Sequence, residues 1–251
     1  MPTANILVWR GDSKAGGFLP YSIEVSQGMV VLDAILKIQA EQAPDLAVRW
    51  NCKAGRCGSC SAEINGRPAL MCMTRLSALR LNRPVTVEPM RTFPIVKDLV
   101  TDVSWNYEVM KGLRKFTPRL PDAPDGSWRM SQKDVDRVQE FRKCIECFLC
   151  QDVCHVLREH GLHAQFAGPR SFVHMAALEM HPLDTEHRAG DLKDKHGIGY
   201  CNITGCCRDV CPEGITITEN AIIPLKERVA DEYYDPLRKL FRILSRAPEG
   251  T

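Results

Sequence analysis

Two short runs of alternating apolar and polar residues open the chain. Residues 4–9 (ANILVW) and 21–25 (YSIEV) predict β-strands, and the glycine-rich stretch 10–20 between them predicts a hairpin loop. At 29–42 the period changes: Val31, Ile35 and Ile38 recur at helical spacing with Leu32 beside them, which predicts a helix. Strand character returns on either side of Asn65-Gly66, a dipeptide that favours a two-residue hairpin, and PVTVEPM at 84–90 predicts a last strand. Two strands, a helix and further strands make a small mixed-sheet domain of about a hundred residues.

From about residue 103 the alternation does not recur, and helical patterns follow one another. Residues 131–144 set Val135, Val138 and Phe141 on one face behind Ser131 as N-cap, and a second helix is predicted to start at Gly168-Pro169. Near the C-terminus Asp235-Pro236 precedes a stripe of Leu237, Leu240, Phe241 and Leu244, bordered by Arg238, Lys239, Arg242 and Arg246. That pattern predicts an amphipathic helix packed on its own domain or on a partner, with its basic face in solvent. The proline-rich stretch 115–128 predicts a surface excursion. The fold class read this way is α+β, with a sheet domain over 1–102 and an all-α domain over 103–251.

Composition alters this picture at one point. Over 251 residues, 44% hydrophobic and 25% charged content are ordinary globular values, and a net charge of +2 without a Lys/Arg block excludes a nucleic-acid footprint. No leader of basic then apolar residues opens the chain, and no apolar run reaches the roughly eighteen residues that span a bilayer. A soluble, cytoplasmic chain that can dock on a membrane partner is expected. Against that background twelve cysteines stand out. Disulfides are disfavoured in a reducing compartment, so metal or redox chemistry is the default.

The cysteines fall into three groups of four: Cys52, Cys57, Cys60, Cys72; Cys144, Cys147, Cys150, Cys154; and Cys201, Cys206, Cys207, Cys211. The first has the C-x4-C-x2-C spacing, with a distant fourth Cys, of plant-type [2Fe-2S] sites. Gly55 and Gly58 let that loop curl so that backbone N–H groups can point at sulfur. The second is the C-x2-C-x2-C-x3-C run of bacterial ferredoxins, whose fourth Cys crosses to a neighbouring cluster. Laid over the third group, the same template demands Cys at 201, 204, 207 and 211, and finds Thr204 at one of them. Cluster one then takes Cys144, Cys147, Cys150 and the crossing Cys211, a set suited to [4Fe-4S]. Cluster two takes Cys201, Cys207 and the crossing Cys154, and three thiolates suit [3Fe-4S]. Cys206 is out of phase and is expected to be a small buried or reactive thiol beside cluster two. Three fully ligated clusters in series pass single electrons and offer no substrate site.

In these motifs the chain resembles the iron-sulfur subunit of succinate dehydrogenase and fumarate reductase, from about Val8 to about Val229. The resemblance rests on NCKAGRCGSC with Cys72, FPIVKDLV at 93–100, CIECFLCQDVC, and the set Cys201, Cys207, Cys211-Pro212. It implies an N-terminal plant-type ferredoxin-like β-grasp domain followed by an all-α ferredoxin-like domain. It also implies a flavoprotein subunit that carries FAD and oxidises succinate, integral membrane anchor subunits, and quinone as acceptor. The chain would then lie peripherally on the cytoplasmic side of the cell membrane. The same wire run in reverse serves a quinol:fumarate reductase. A thiol-linked fumarate reductase subunit would add a cysteine-rich domain with repeated Cys-Cys-Gly elements, whereas the Cys-Cys pair here precedes Arg208. A zinc-organised binding scaffold is the non-redox alternative.

The departures from the family cluster at the quinone end. His155 follows Cys154 where relatives have proline and, a few residues on, often tryptophan, and Asn202 follows Cys201 where many have histidine. Lys226 matches a family lysine if one inserted residue is allowed. His155 and Lys226 are therefore the candidate quinone-side residues.

Overall fold

The computed structural model describes residues 3–236. Strands β1 (Thr3–Gly11) and β2 (Gly16–Glu24) form the opening hairpin, followed by helix α1 (Val31–Glu41). A second hairpin, β3 (Ser61–Ile64) and β4 (Arg67–Leu70), precedes β5 (Val85–Glu88). The sheet order is β2-β1-β5-β3-β4, with β1 and β5 parallel and the other pairs antiparallel. A helix laid across a mixed sheet in this order is a β-grasp. Ala4, Ile6 and Val8 of β1, Val85 and Val87 of β5, and Val31, Leu32, Ile35 and Ile38 of α1 meet in one buried core. Each large aliphatic side chain there contributes about 1.5–3 kcal/mol by leaving water.

Two local readings change. The predicted loop at 10–20 shrinks to Asp12–Ala15, because pairing runs on through Arg10↔Gly17 and Gly11↔Gly16. Gly16 makes this possible: a Cβ there would lie 2.1 Å from the Trp9 ring. The stretch 93–101 adds a small hairpin, β6 (Ile95–Lys97) and β7 (Val100–Thr101), too short for alternation to show. The Asn65-Gly66 turn is as read, with φ of 51° and 74° at its two residues.

Asp98, in the turn of the small hairpin, is 2% exposed and has a φ of 49°. Its carboxylate accepts from the N–H groups of Gly11 (3.0 Å) and Ala47 (2.8 Å) and pairs with Arg10 Nε at 3.0 Å. One side chain thus ties three loops of the sheet domain together. Asp98→Ala leaves these donors without their acceptor, each unsatisfied group costing about 1–3 kcal/mol. The expected outcome is a loss of about 3 kcal/mol, read as a lowered thermal or denaturant midpoint, with Asp98→Asn recovering part of it.

The second half is helical: α2 (Ser104–Lys111), α3 (Gln132–Gln139), α4 (Leu149–Asp152), α5 (His155–Arg158), α6 (Gly168–Glu179), α7 (Cys206–Asp209) and α8 (Ile223–Tyr233). Ser131 Oγ caps α3 by accepting from Asp134 N–H at 3.2 Å. Short π-helical turns precede α7 and α8, at Asp191–Lys195 and Ile217–Ile222. Phe141, Leu157, Phe166, Phe172, Met175, Ile222 and Leu225 are among the residues of its core. The stretch 115–128 runs over the surface and is tied down by the Pro118↔Asp184 bridge. The basic amphipathic helix expected from Leu237 onward lies outside the described residues.

The two halves are joined by buried polar contacts. Ser61 Oγ lies 2.8 Å from the Cys147 carbonyl and 2.9 Å from that of Gly58. Glu63, fully buried, pairs with Arg158 at 2.9 Å and Arg91 at 3.3 Å. Thr92 donates its N–H to the Asp152 carboxylate (3.1 Å) and its hydroxyl to the Asp152 carbonyl (3.0 Å). Burial, and then the charge of Glu63, pushes the Asp152 carboxyl up to about 7.

Candidate cluster sites

The first cysteine group occupies the surface loop between α1 and β3, with Cys72 just after β4. Lys53, Gly55 and Gly58 all have positive φ, and the curl they make aims backbone donors at sulfur. Cys52 Sγ accepts from the N–H groups of Ala54 and Arg56, both at 3.3 Å, and Cys57 Sγ accepts from Cys52 N–H at 3.5 Å. Burial alone would raise the Cys57 thiol, but hydrogen bonds from Cys52 and Ser59 overcome it and bring the group down to about 6. Cys60 is pushed up to about 12 by burial, the dominant cause, with Cys72 close beside it. Cys52 is exposed while Cys60 and Cys72 are buried, so a cluster held here would turn one edge to the surface.

Cys144, Cys147, Cys150 and Cys211 line a single cavity together with Phe148, Arg170, Ile215 and Ile217. The sequence-distant Cys211 is therefore brought to the first three members of the second run. Burial first, with Cys144 and Cys211 close by, raises Cys147 to about 12, and burial likewise raises Cys150 well above the ordinary thiol value. The chain reaches this arrangement through Glu146 (φ 59°) and Phe148 (φ 60°), two left-handed residues that are not glycine. Such a backbone costs roughly 1–2 kcal/mol per residue. Phe148 is held in it by edge-on rings, Phe93 at 6.1 Å and Tyr107 at 5.8 Å between centroids.

Cys154, Cys201, Cys206 and Cys207 form the third gathering. Cys154 is pushed up to about 11 by burial, with the nearby Cys206 and Cys201 adding to the shift. Cys207 is pushed up to about 12, again by burial first, although the Thr218 hydroxyl, 3.6 Å from its sulfur, works in the opposite direction. Cys206, expected to be a small buried or reactive thiol, is half-buried and lies 3.4 Å from the Thr204 hydroxyl. Thr204 itself is exposed.

All twelve cysteines are free thiols. Thiols buried against one another resist ionising together unless a cation compensates them. Convergent sulfur therefore fits iron-sulfur clusters, with ligand atoms of Glu146 and His174 also within 4.8 Å of the Cys144 sulfur. Lys226 Nζ donates to the Cys201 carbonyl at 2.5 Å and lines an open pocket of about 630 Å³ with Lys193, Ile198, Val229 and Tyr234. His155 is the first residue of α5 and half-buried, and it does not line that pocket. Arg170, Ser61 and Thr218 are site residues that the cysteine spacing does not announce.

A β-grasp with a surface cysteine loop, joined to a helical half with two sulfur-lined sites, defines an iron-sulfur electron carrier. Family profiles agree in order and position: a 2Fe-2S iron-sulfur cluster binding domain matches residues 5–108, and a 4Fe-4S dicluster domain matches residues 140–215. The fumarate reductase iron-sulfur subunit of Mycobacterium tuberculosis is 33% identical over 205 residues, covering 79% of this chain and 80% of that one. The succinate dehydrogenase iron-sulfur subunit of Paracoccus denitrificans is 28% identical over 231 residues, covering 90% and 87%. A chain from the structure of the Mycobacterium smegmatis Sdh1 complex in the apo form superposes with a TM-score of 0.90 at 60% identity, covering 94% of this chain and 98% of that one. The chain belongs to the iron-sulfur subunits of succinate dehydrogenase and fumarate reductase. It is the electron-transfer component of an oxidoreductase complex. Among the described residues no helix is long and apolar enough to cross a membrane.

Proposed function

We propose that this chain relays single electrons from FAD on a flavoprotein subunit towards membrane quinone through three clusters. Cys52, Cys57, Cys60 and Cys72 hold [2Fe-2S]; Cys144, Cys147, Cys150 and Cys211 hold [4Fe-4S]; Cys154, Cys201 and Cys207 hold [3Fe-4S]. The units are 1–102 and 103–251, and integral anchor subunits hold the chain peripherally on the cytoplasmic face of the membrane. The observation that carries this reading is that the sequence-distant Cys211 lines one cavity with Cys144, Cys147 and Cys150, as the crossing ligand between neighbouring clusters must. When bound, the clusters supply reversible one-electron transfer. The protein's part is to hold sulfur, donate N–H groups to it, as Ala54 and Arg56 do to Cys52, and keep water from the buried ligands. Iron and acid-labile sulfide analysis of the purified complex tests the assignment. Iron and sulfide in the ratio of the three formulas are expected, and zinc without sulfide contradicts it.

Lys226 and His155 are the proposed quinone-side residues. Lys226 is tied to the backbone of Cys201, so its charge sits beside cluster two and can stabilise a reduced, proton-accepting quinone. Lys226→Gln is expected to lower quinone reductase turnover about tenfold with all clusters retained, and His155→Ala to lower it less. Unchanged turnover and unchanged cluster potential in both variants would remove them from that role.

A further inference from the structure

Arg170 is the third residue of α6, where a cation opposes the helix dipole, and it is only 3% exposed. Such a placement is costly, and the surroundings hold the guanidinium firmly. Its backbone N–H donates to Gln151 Oε1 at 3.3 Å, and Gln151 is fixed by Asn106 Oδ1 at 2.9 Å and the Ala167 carbonyl at 3.2 Å. Nη1 donates to the Asn106 carbonyl at 3.2 Å, and Nη2 pairs with the Glu146 carboxylate. The guanidinium carbon lies 5.7 Å from the Tyr107 ring centre and 5.5 Å from that of Phe148.

One guanidinium nitrogen is left without a partner. The Nε–H of Arg170 is buried and has no acceptor among the described residues. An unpaired buried donor on a charged group is costly. Yet Arg170 lines the same cavity as Cys144, Cys147, Cys150 and Cys211, where the abundant acceptor is sulfur. We propose that Arg170 Nε–H donates a hydrogen bond to a sulfur of cluster one, and that this bond raises the cluster's reduction potential. The inference rests on the cluster assignment above.

The direction follows from charge. Reduction adds an electron to an already anionic cluster, and a cationic donor stabilises that form more than the oxidised one. Glu146 offsets part of the guanidinium's field and is itself 2.9 Å from His174 Nε2, so the directional Nε–H contact carries much of the effect. A purely structural Arg170–Glu146 pair would hold α6 in place and show no coupling of arginine nitrogen to the reduced cluster.

The test is an EPR-monitored redox titration of the assembled complex carrying Arg170→Gln or Arg170→Lys, beside wild type grown with ¹⁵N-arginine. At the wild-type midpoint, the ratio of reduced to oxidised cluster one is expected to fall about tenfold in Arg170→Gln, about 59 mV for one electron. Arg170→Lys, which keeps the charge without the fork, is expected to fall between the two. Pulsed EPR of the reduced wild-type cluster is expected to show coupling to arginine ¹⁵N. An intact cluster with an unshifted midpoint in both variants overturns the proposal, and so does a missing ¹⁵N coupling. If Arg170→Gln fails to assemble the cluster, the Lys variant and the wild-type coupling decide in the same way. A wild-type complex without [4Fe-4S] would instead overturn the cluster assignment, and this inference with it.

Discussion

Cys207→Ser is expected to abolish cluster two completely while the other two clusters remain, and Cys206→Ser is expected to leave all three in place. The two thiols are sequence neighbours, so only geometry separates them. Cys207 is 5% exposed, and its sulfur lies 3.6 Å from the buried Thr218 hydroxyl. Cys206 is half-buried at the start of α7, beside the exposed Thr204. Cys207 lies within α7 and Cys211 just beyond its end, so a single short segment can serve both sites of the helical half. Cys211→Ser should accordingly remove cluster one and spare cluster two. EPR of the oxidised and reduced variants reads all of these outcomes. Loss of cluster two in Cys206→Ser with its retention in Cys207→Ser would reverse the ligand register.

Gly58→Ala is the second substitution with a large expected effect. Gly58 has a φ of 66°, and a Cβ there would lie 2.6 Å from Cys147 Cα and 2.9 Å from Cys147 N. Both are backbone or near-backbone atoms of another cluster loop, so neither can swing aside. The close approach brings the [2Fe-2S] loop against the second cysteine run, and Ser61 fastens it there through the Cys147 carbonyl. A Cβ must therefore part the two loops or unwind one of them. A loss of about 3 kcal/mol or more is expected, together with poor retention of the [2Fe-2S] signal. Gly55→Ala is the matched control. Its φ is 68°, but its Cβ would meet only the flexible Met73 side chain, at 2.9 Å, so the expected cost is about 1 kcal/mol. Equal losses in the two variants would show that the φ angle, not the contact between loops, decides.

The cysteine groups were legible because ligand spacing is local: thiols three and four positions apart stand out along the chain. Missing Cys at Thr204 was legible for the same reason. The alternation of β1 and the period of α1 were equally plain, since each has one buried and one exposed face. What stayed hidden depends on contacts between distant segments. Glu146 and Phe148 adopt a conformation that local identity disfavours, because Phe93, Tyr107 and Arg170 close around them. The Glu63 to Arg158 pair joins residues 95 apart in sequence. Cys147 and Leu149, which lie beyond the predicted boundary at 102/103, also complete the core of the sheet domain. Arg170 did carry a sequence signal, a cation in the first turn of a helix behind Gly-Pro, although its meaning emerges only with the cavity.

The central claim is that electrons from substrate reach three clusters held by this one chain. EPR of the assembled complex, as oxidised and after addition of succinate, tests it most directly. The expected result is a three-iron signal in the oxidised complex that succinate diminishes while a [2Fe-2S] signal grows, with [4Fe-4S] reached by a stronger reductant if succinate leaves it oxidised. A complex with intact flavin that shows no three-iron signal, or whose clusters succinate does not reduce, would contradict the account.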